Sequence, residues 1–179
     1  MKSELFRELY AAHSKKIFSY LFARTNNKES AADLLQDIFL KVWNRVERAA
    51  LIPEEERLYW IFSIASNRLK DYYKKAANER NAEGKIESGK GHEPEDLSGL
   101  LASRERFREL ESQIDQLPEE LRCILLMKVI GGMNSSQIGI ALQLPPGTVR
   151  YKLGQARRLL AGKLGLLENE TAGRKGEVK

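Results

Sequence analysis

Cysteine is nearly missing from this chain of 179 residues: Cys123 stands alone, so no disulfide framework can form within one chain. Set among Ile124, Leu125 and Leu126, it reads as a reduced core residue. Histidine is almost as scarce. His13 and His92 are far from each other and from Cys123, and no metal-ligand spacing or phosphate-binding glycine loop accompanies them. His13 reads as a helix-surface residue and His92 as a solvated one in a linker. The expectation is therefore a protein that is not an enzyme and that needs no metal or cofactor. No long apolar run occurs, and the N-terminus opens Met-Lys-Ser-Glu with amphipathic spacing. The expectation is a chain without signal peptide or membrane span, a cytoplasmic protein with no membrane insertion. A third absence is local. From Leu121 to Lys163 there is no acidic residue, whereas Arg122, Lys128, Arg150, Lys152, Arg157, Arg158 and Lys163 are basic. The overall charge is only +5, with a pI near 9.3, so the concentration of positive charge matters more than its sum.

Within that basic stretch, Asn134-Ser135-Ser136-Gln137 reads as a capping box opening a short helix that buries Ile138, Ala141 and Leu142. Gln143 to Thr148 supplies a tight turn with a proline placed to start a second helix, which carries Val149, Leu153, Ala156 and Leu160 at helical spacing. Two short helices about a turn are a helix-turn-helix. Its basic second helix suits DNA, since phosphate neutralisation drives such binding and a helix fits the major groove. An ordinary helical hairpin with a solvated basic face is the alternative. Along the second helix, Thr148, Arg150, Tyr151, Lys152, Gln155, Arg157 and Arg158 are the candidate DNA contacts. Arg150, Tyr151, Gly154 and Gln155 lie off the buried stripe and can reach base edges, while Lys152, Arg157 and Arg158 suit phosphates.

The N-terminal half reads as helices too. Leu5, Phe6, Leu9, Tyr10, Ile17, Tyr20 and Leu21 fit one amphipathic helix over residues 3 to about 24. Asn27 or Ser30 caps a second, Glu29 to about Arg48, with an apolar stripe of Leu35, Ile38, Phe39 and Val42. Another face of it gathers Asp33, Gln36, Asp37 and Leu40 at helical spacing, with Trp43 beyond. That face is either a surface that meets a partner or a solvated face with Trp43 in the core. Pro53 and three glutamates start a third helix running to about Asn78, with Trp60, Ile61, Ile64, Ala65 and Leu69 on its apolar side. Its far half mixes Arg68, Lys70, Lys74 and Lys75 with Tyr72 and Tyr73. Such a mixture suits single-stranded nucleic acid, or is a charged helix with buried tyrosines.

Between about Ala76 and Ser103 apolar residues nearly vanish and acids and glycines accumulate, which reads as a flexible acidic linker. It either stays off the DNA or lies along a basic channel of a partner. A last helical set begins near Leu97 or Ser103. Phe107, Leu110, Ile114 and Leu117 fit one helix, and Pro118-Glu119-Glu120 starts another that buries Leu121, Ile124, Leu125 and Val129 before Gly131-Gly132. The expected fold is all-α, with two small helical domains: an N-terminal helical bundle over 1–77 and a C-terminal helix-turn-helix domain over 105–167. The linker takes 78–104 and a polar tail 168–179.

Three segments resemble the extracytoplasmic-function (ECF) sigma factors of bacterial RNA polymerase. Asp33-Leu34-Leu35-Gln36-Asp37-Ile38-Phe39-Leu40-Lys41-Val42-Trp43 is similar to that family's D-L-x-Q-E-x-F-L-x-x-W. Trp60 to Asn67 with Asp71-Tyr72 is similar to W-L-x-x-I-A-x-N-x-x-x-D-x-x-R-R. Gly132 to Ile138 with Pro145 to Arg150 and Ala156-Arg157 resembles the family's promoter-reading end, and Leu117-Pro118-Glu119-Glu120-Leu121-Arg122 matches L-P-x-x-x-R. The chain departs from the pattern at Gly139, where Ala is usual, at Gln143, where Gly is usual, and at Lys152, Gln155, Ser63 and Ser66, where Arg is common. The resemblance implies a sigma factor with core RNA polymerase and promoter DNA as partners, and an anti-sigma protein as a further one. It implies that Asp33, Gln36, Asp37, Leu40 and Trp43 bind core polymerase. Asn67, Arg68, Lys70, Lys74 and Lys75 would hold the melted minus-ten element, with the loop Ala49 to Pro53 receiving a flipped base. The helix-turn-helix would read the minus-thirty-five element. A free-standing helix-turn-helix regulator is the rival reading, but it leaves the Asp33 to Trp43 face unused.

Overall fold

The computed structural model describes residues 2–83 and 101–165, with backbone alone at 80–83 and 101–107, and every regular element in them is a helix. In chain order these are α1 Lys2–Thr25, α2 Lys28–Trp43, α3 Val46–Ala50, α4 Glu54–Glu83, α5 Leu101–Asp115, α6 Glu119–Val129, α7 Ser135–Leu142 and α8 Pro146–Lys163. The all-α expectation holds, with one group of helices on either side of residues 84–100. The acidic run and His92 of the expected linker, and the tail from 168, lie outside the described residues. Helix α4 continues to Glu83 and α5 starts at Leu101, each inside the span read as linker.

Local chemistry sets the helix ends. Asn27, in an extended conformation, caps α2 by accepting from the Ser30 N–H at 2.8 Å. The second helix stops at Trp43 rather than near Arg48. Asn44 and Arg45 close a turn onto Leu40 and Val42, and the short α3 folds Val46 and Ala49 back into the core. Three glutamates occupy the first turn of α4, where carboxylates suit the positive helix end.

Helices α1, α2 and α4 pack together around Ile17, Leu21, Ile38, Val42, Ile61 and Leu69, all essentially inaccessible. Helices α6, α7 and α8 pack around Ile124, Ile138, Val149 and Ala156. These two groups share one continuous core. Tyr20 of α1 meets Phe62 of α4 edge-on with ring centroids 5.1 Å apart, and both rings are fully buried. The Tyr20 hydroxyl lies 3.3 Å from the Cys123 sulfur of α6. Burial, and then the neighbouring thiol, push the Tyr20 phenol well above its usual range, so it stays protonated. At Gly131 a β-carbon would stand 2.5 Å from the Met127 carbonyl oxygen and 3.1 Å from the Phe62 ring, so only glycine lets this turn close over Phe62.

Two expected core positions face outward. Val129 is 70 % exposed, because α6 buries Leu121 and Cys123 to Met127 on a broad face and its last turn emerges beside Phe22 and Ile130 in an apolar groove. Tyr10 is 46 % exposed at the rim of an aromatic cluster. Conversely, Leu34 and Phe62, absent from the stripes read in sequence, are buried.

Candidate functional site

Three surfaces carry the residues singled out by sequence. On α2, Asp33 and Gln36 are exposed, Leu40 is 59 % exposed and Trp43 is 42 % exposed. Leaving a Leu and a Trp partly in water beside carboxylates forgoes a fraction of the hydrophobic gain of full burial, which is about 1.5 to 3 kcal/mol for a large apolar side chain. The Trp43 ring is not loose. Phe6 of α1 packs edge-on against it at 5.2 Å, Phe6 also contacts Phe39 at 6.2 Å, and Tyr10 stands 4.8 Å from Phe39. Tyr10 thus joins this surface, a residue the one-dimensional stripe of α1 had assigned to the core. Asp37, in contrast, is occupied: its carboxylate accepts from the Arg68 guanidinium of α4.

On α4, Asn67 and Lys70 are exposed and line a cavity of about 370 Å³ together with Arg48, Ser63 and Ser66. Arg48 was not singled out by sequence, because its approach depends on α3 turning back toward α4. Lys74 and Lys75 are exposed farther along, with Lys75 3.7 Å from Glu79. Arg68 points away from them toward Asp37, and its Nη1 lies 3.7 Å from Asp71. The tyrosines are structural. Tyr72 donates to the Ser30 hydroxyl at 3.2 Å and Tyr73 to the Arg24 carbonyl, which ties α4 to both ends of the α1–α2 turn. At the loop before α4, Leu51 is 86 % exposed.

The helix-turn-helix forms as read. Asn134 accepts from the Gln137 N–H at 3.0 Å while the Gln137 side chain accepts from the Asn134 N–H at 2.8 Å, completing the capping box. Helix α7 ends on Gln143 in the left-handed conformation, φ +57°, and the Leu144 N–H returns to the Gly139 carbonyl at 2.9 Å. Val149, Leu153 and Ala156 bury one side of α8. Arg150, Tyr151, Arg157 and Arg158 are exposed, Thr148 and Gln155 are half-buried, and the Gln155 amide donates to the Tyr151 hydroxyl at 3.3 Å. Lys152 does not point outward with them: its ammonium is paired with Glu120 of α6. Among the described residues no group of His, Cys, Asp and Glu could hold a metal, and no helix is long and apolar enough to cross a membrane.

An all-helical chain with a basic, exposed recognition helix and a second, apolar-and-acidic face on another module is a DNA-reading protein built to engage more than DNA. Residues 9–79 match the family model described as Sigma-70 region 2, and residues 107–160 match Sigma-70, region 4, together well over half of the chain. The chain is 26 % identical over 159 residues to the ECF RNA polymerase sigma factor SigL of Mycobacterium tuberculosis, covering 89 % of this chain and 88 % of that one. It is 21 % identical over 172 residues to SigW of Bacillus subtilis, covering 90 % and 89 %. Among solved structures it resembles the sigma factor RpoE bound to the anti-sigma factor NepR from Bartonella quintana, with a TM-score of 0.73 at 16 % identity over 91 % of this chain and 98 % of that one. It also resembles CnrH in complex with the cytosolic domain of CnrY, with a TM-score of 0.64 at 20 % identity over 91 % and 89 %. The chain belongs to the sigma-70 family and is an RNA polymerase sigma factor of the ECF type.

Proposed function

We propose that the N-terminal module, residues 1–77, docks on core RNA polymerase through Asp33, Gln36, Leu40 and Trp43 of α2, with Asp37 and Tyr10 at the border of the contact. Asn67, Lys70, Lys74 and Lys75 then hold the melted minus-ten strand, with Arg48 beside them, and Arg68 acts through Asp37. The C-terminal module, residues 105–167, reads the minus-thirty-five duplex with Arg150, Tyr151 and Gln155 at base edges and Thr148, Arg157 and Arg158 at the backbone. Lys152 contributes only where its pair with Glu120 is released. An anti-sigma protein is a further partner, in line with the complexes of RpoE and CnrH.

The observation that carries this reading is the exposed Leu40 and Trp43 beside the exposed Asp33 carboxylate, in a chain that also bears an accessible basic second helix in its helix-turn-helix. A stand-alone regulator has no use for the first surface. The test is a titration of core RNA polymerase with the native chain and with Leu40→Glu, followed by transcription from a duplex and a pre-melted template. Leu40 is not part of the core, so the variant should fold normally, lose polymerase binding and lose transcription from both templates. Duplex binding by the native chain without any affinity for core polymerase would move the assignment to the free-standing regulator.

A further inference from the structure

The cavity of about 370 Å³ along α4, walled on one side by the end of α7, is of a size that suits a small ligand. A second cavity of about 160 Å³ adjoins it, and Ser66, Lys70 and Leu142 line both. Ser66 stands at their junction and is only 4 % exposed. A serine inside a helix ordinarily turns its hydroxyl back onto its own backbone, as Ser63 does by donating to the Trp60 carbonyl at 2.7 Å. The Ser66 hydroxyl makes no such bond, and among the described residues it has no hydrogen-bond partner. Nor is it sealed off, in contrast to the Nε atoms of Arg24, Arg68 and Arg122, so it opens on the cavity space. A buried hydroxyl in that position calls for a partner from outside the chain. Two cations stand with it. Lys70, one turn farther along α4, and Arg48 of α3 line the larger cavity, and among the described residues neither is in an ion pair. Ser63 and Ser66 occupy positions where arginine is common in the family pattern, so their short side chains leave open a volume that a longer one would take.

Charge is divided along this cavity. Glu56 lines it as well, but lies 14 residues before Lys70 on α4, about 21 Å along the helix axis at 1.5 Å per residue. The acid and the ammonium therefore stand toward opposite ends. An ammonium beside an unpaired hydroxyl suits a phosphate, which accepts from both, whereas a carboxylate suits hydroxyl or amino donors. Trp60 and Ile140 add apolar wall between them. We propose that this cavity binds a small phosphate monoester that carries hydroxyl or amino groups, of about the size of a nucleoside monophosphate. Its phosphate sits on Ser66 and Lys70 with Arg48 adding charge, and its donors lie toward Glu56. A phosphate held there occupies the Lys70 ammonium that the reading above gives to the minus-ten strand, so ligand and strand exclude each other at that residue. This consequence rests on that reading; the binding does not.

The experiment is calorimetric titration of the full chain with guanosine 5′-monophosphate, guanosine and inorganic phosphate. The nucleotide should bind saturably at one site, at least tenfold more tightly than guanosine, which lacks the phosphate, or inorganic phosphate, which lacks the body. Ser66→Ala removes only the hydroxyl and should weaken the nucleotide about tenfold at unchanged helicity. Ile140→Glu, at a position 58 % exposed and outside the core, sets a negative charge in the cavity and should abolish binding. Open-complex formation by the holoenzyme is then followed over a nucleotide series. The nucleotide should slow it, and Ser66→Ala should open the promoter as the native chain does without nucleotide yet need about tenfold more of it for the same inhibition. That shift separates the effect from nucleotide held by the polymerase. No saturable binding of the nucleotide, or equal binding by the native chain and both variants, overturns the site. Inorganic phosphate bound as tightly as the nucleotide overturns the ester and leaves a bare anion site. Nucleotide binding without inhibition overturns the exclusion of the strand. A holoenzyme that opens no promoter even without nucleotide, while the chain still binds it, would instead overturn the promoter-melting assignment.

Discussion

The guanidinium of Arg68 on α4 is held by the carboxylate of Asp37 on α2, with Asp71 one turn along α4 at 3.7 Å on its other side. The family resemblance gives these residues to different ligands, Asp37 to polymerase and Arg68 to the melted strand. In the fold they are one ion pair joining α2 to α4.

Coupling of this kind is measurable. Asp37→Ala should weaken polymerase binding and also change strand opening, since it releases Arg68 to reach a phosphate. Arg68→Ala alone should lower both, and the double variant should fall short of the sum by about 0.5 to 3 kcal/mol, as for residues in direct contact. Both side chains are partly exposed, so solvent screening favours the lower half of that range. Open-complex formation on duplex promoter with each single and double variant checks it; strict additivity would show that the pair is incidental.

The turn of the helix-turn-helix gives a second expectation. Gln143 adopts φ +57°, a conformation that costs a residue with a β-carbon about 1 kcal/mol or more relative to glycine. Gln143→Gly should therefore stabilise the chain by about 1 kcal/mol in urea unfolding. Gly139→Ala should do the opposite. Its β-carbon would stand 2.5 Å from the Leu144 carbonyl oxygen, a backbone atom that cannot step aside, for a loss of about 1 to 3 kcal/mol. Both departures from the family pattern in this region thus bear on a single close approach of the Leu144 carbonyl to α7.

Much of this architecture is legible along the chain because it is local. The Asn134–Gln137 box, the Asn27 cap and the glutamates in the first turn of α4 act within one turn, and the helices form where those signals lie. What escaped depends on partners far away in sequence. Lys152 follows a basic pattern yet pairs with Glu120, Arg68 pairs with Asp37, and Val129 continues an apolar stripe past the helices that cover it. Tyr72 and Tyr73 could equally have stacked on bases until Ser30 and the Arg24 carbonyl claimed their hydroxyls. The contacts between the two groups of helices left no periodic trace, because they join single residues far apart in sequence, Tyr20 with Cys123, Arg24 with Glu119 and Asn26 with Asp115.

His13 supplies a pH dependence. Its pKa is lowered from 6.5, first by burial and then by the positive charges of Lys16 and Arg57. The unfolded chain therefore binds a proton at this site more readily than the folded one, so stability rises with pH through the interval between the lowered value and about 6.5 and falls on the acid side. His13→Gln should flatten that part of the profile. Melting temperatures of both chains at pH 7.5 and pH 5 test this, and an equal drop in the two would assign the acid sensitivity to other groups.

On the proposed reading, α8 separates base reading from backbone holding. Arg150 is exposed at the first turn of α8, where a helix lying in the major groove presents side chains to base edges. Arg150→Ala should cost about 1 to 3 kcal/mol at one base pair of the minus-thirty-five element and leave binding to scrambled duplex nearly unchanged. Arg158, exposed two turns on, should behave in the opposite manner: Arg158→Ala weakens binding to all sequences alike and reduces the salt dependence by about one phosphate contact. Lys152→Ala provides the internal comparison. With its ammonium on Glu120, it should change neither selectivity nor salt slope appreciably, which fluorescence anisotropy of the holoenzyme on specific and scrambled duplexes over a salt series would resolve. A salt slope that falls by one for Lys152→Ala would mean that the Glu120 pair opens on DNA and that the ammonium moves to a phosphate.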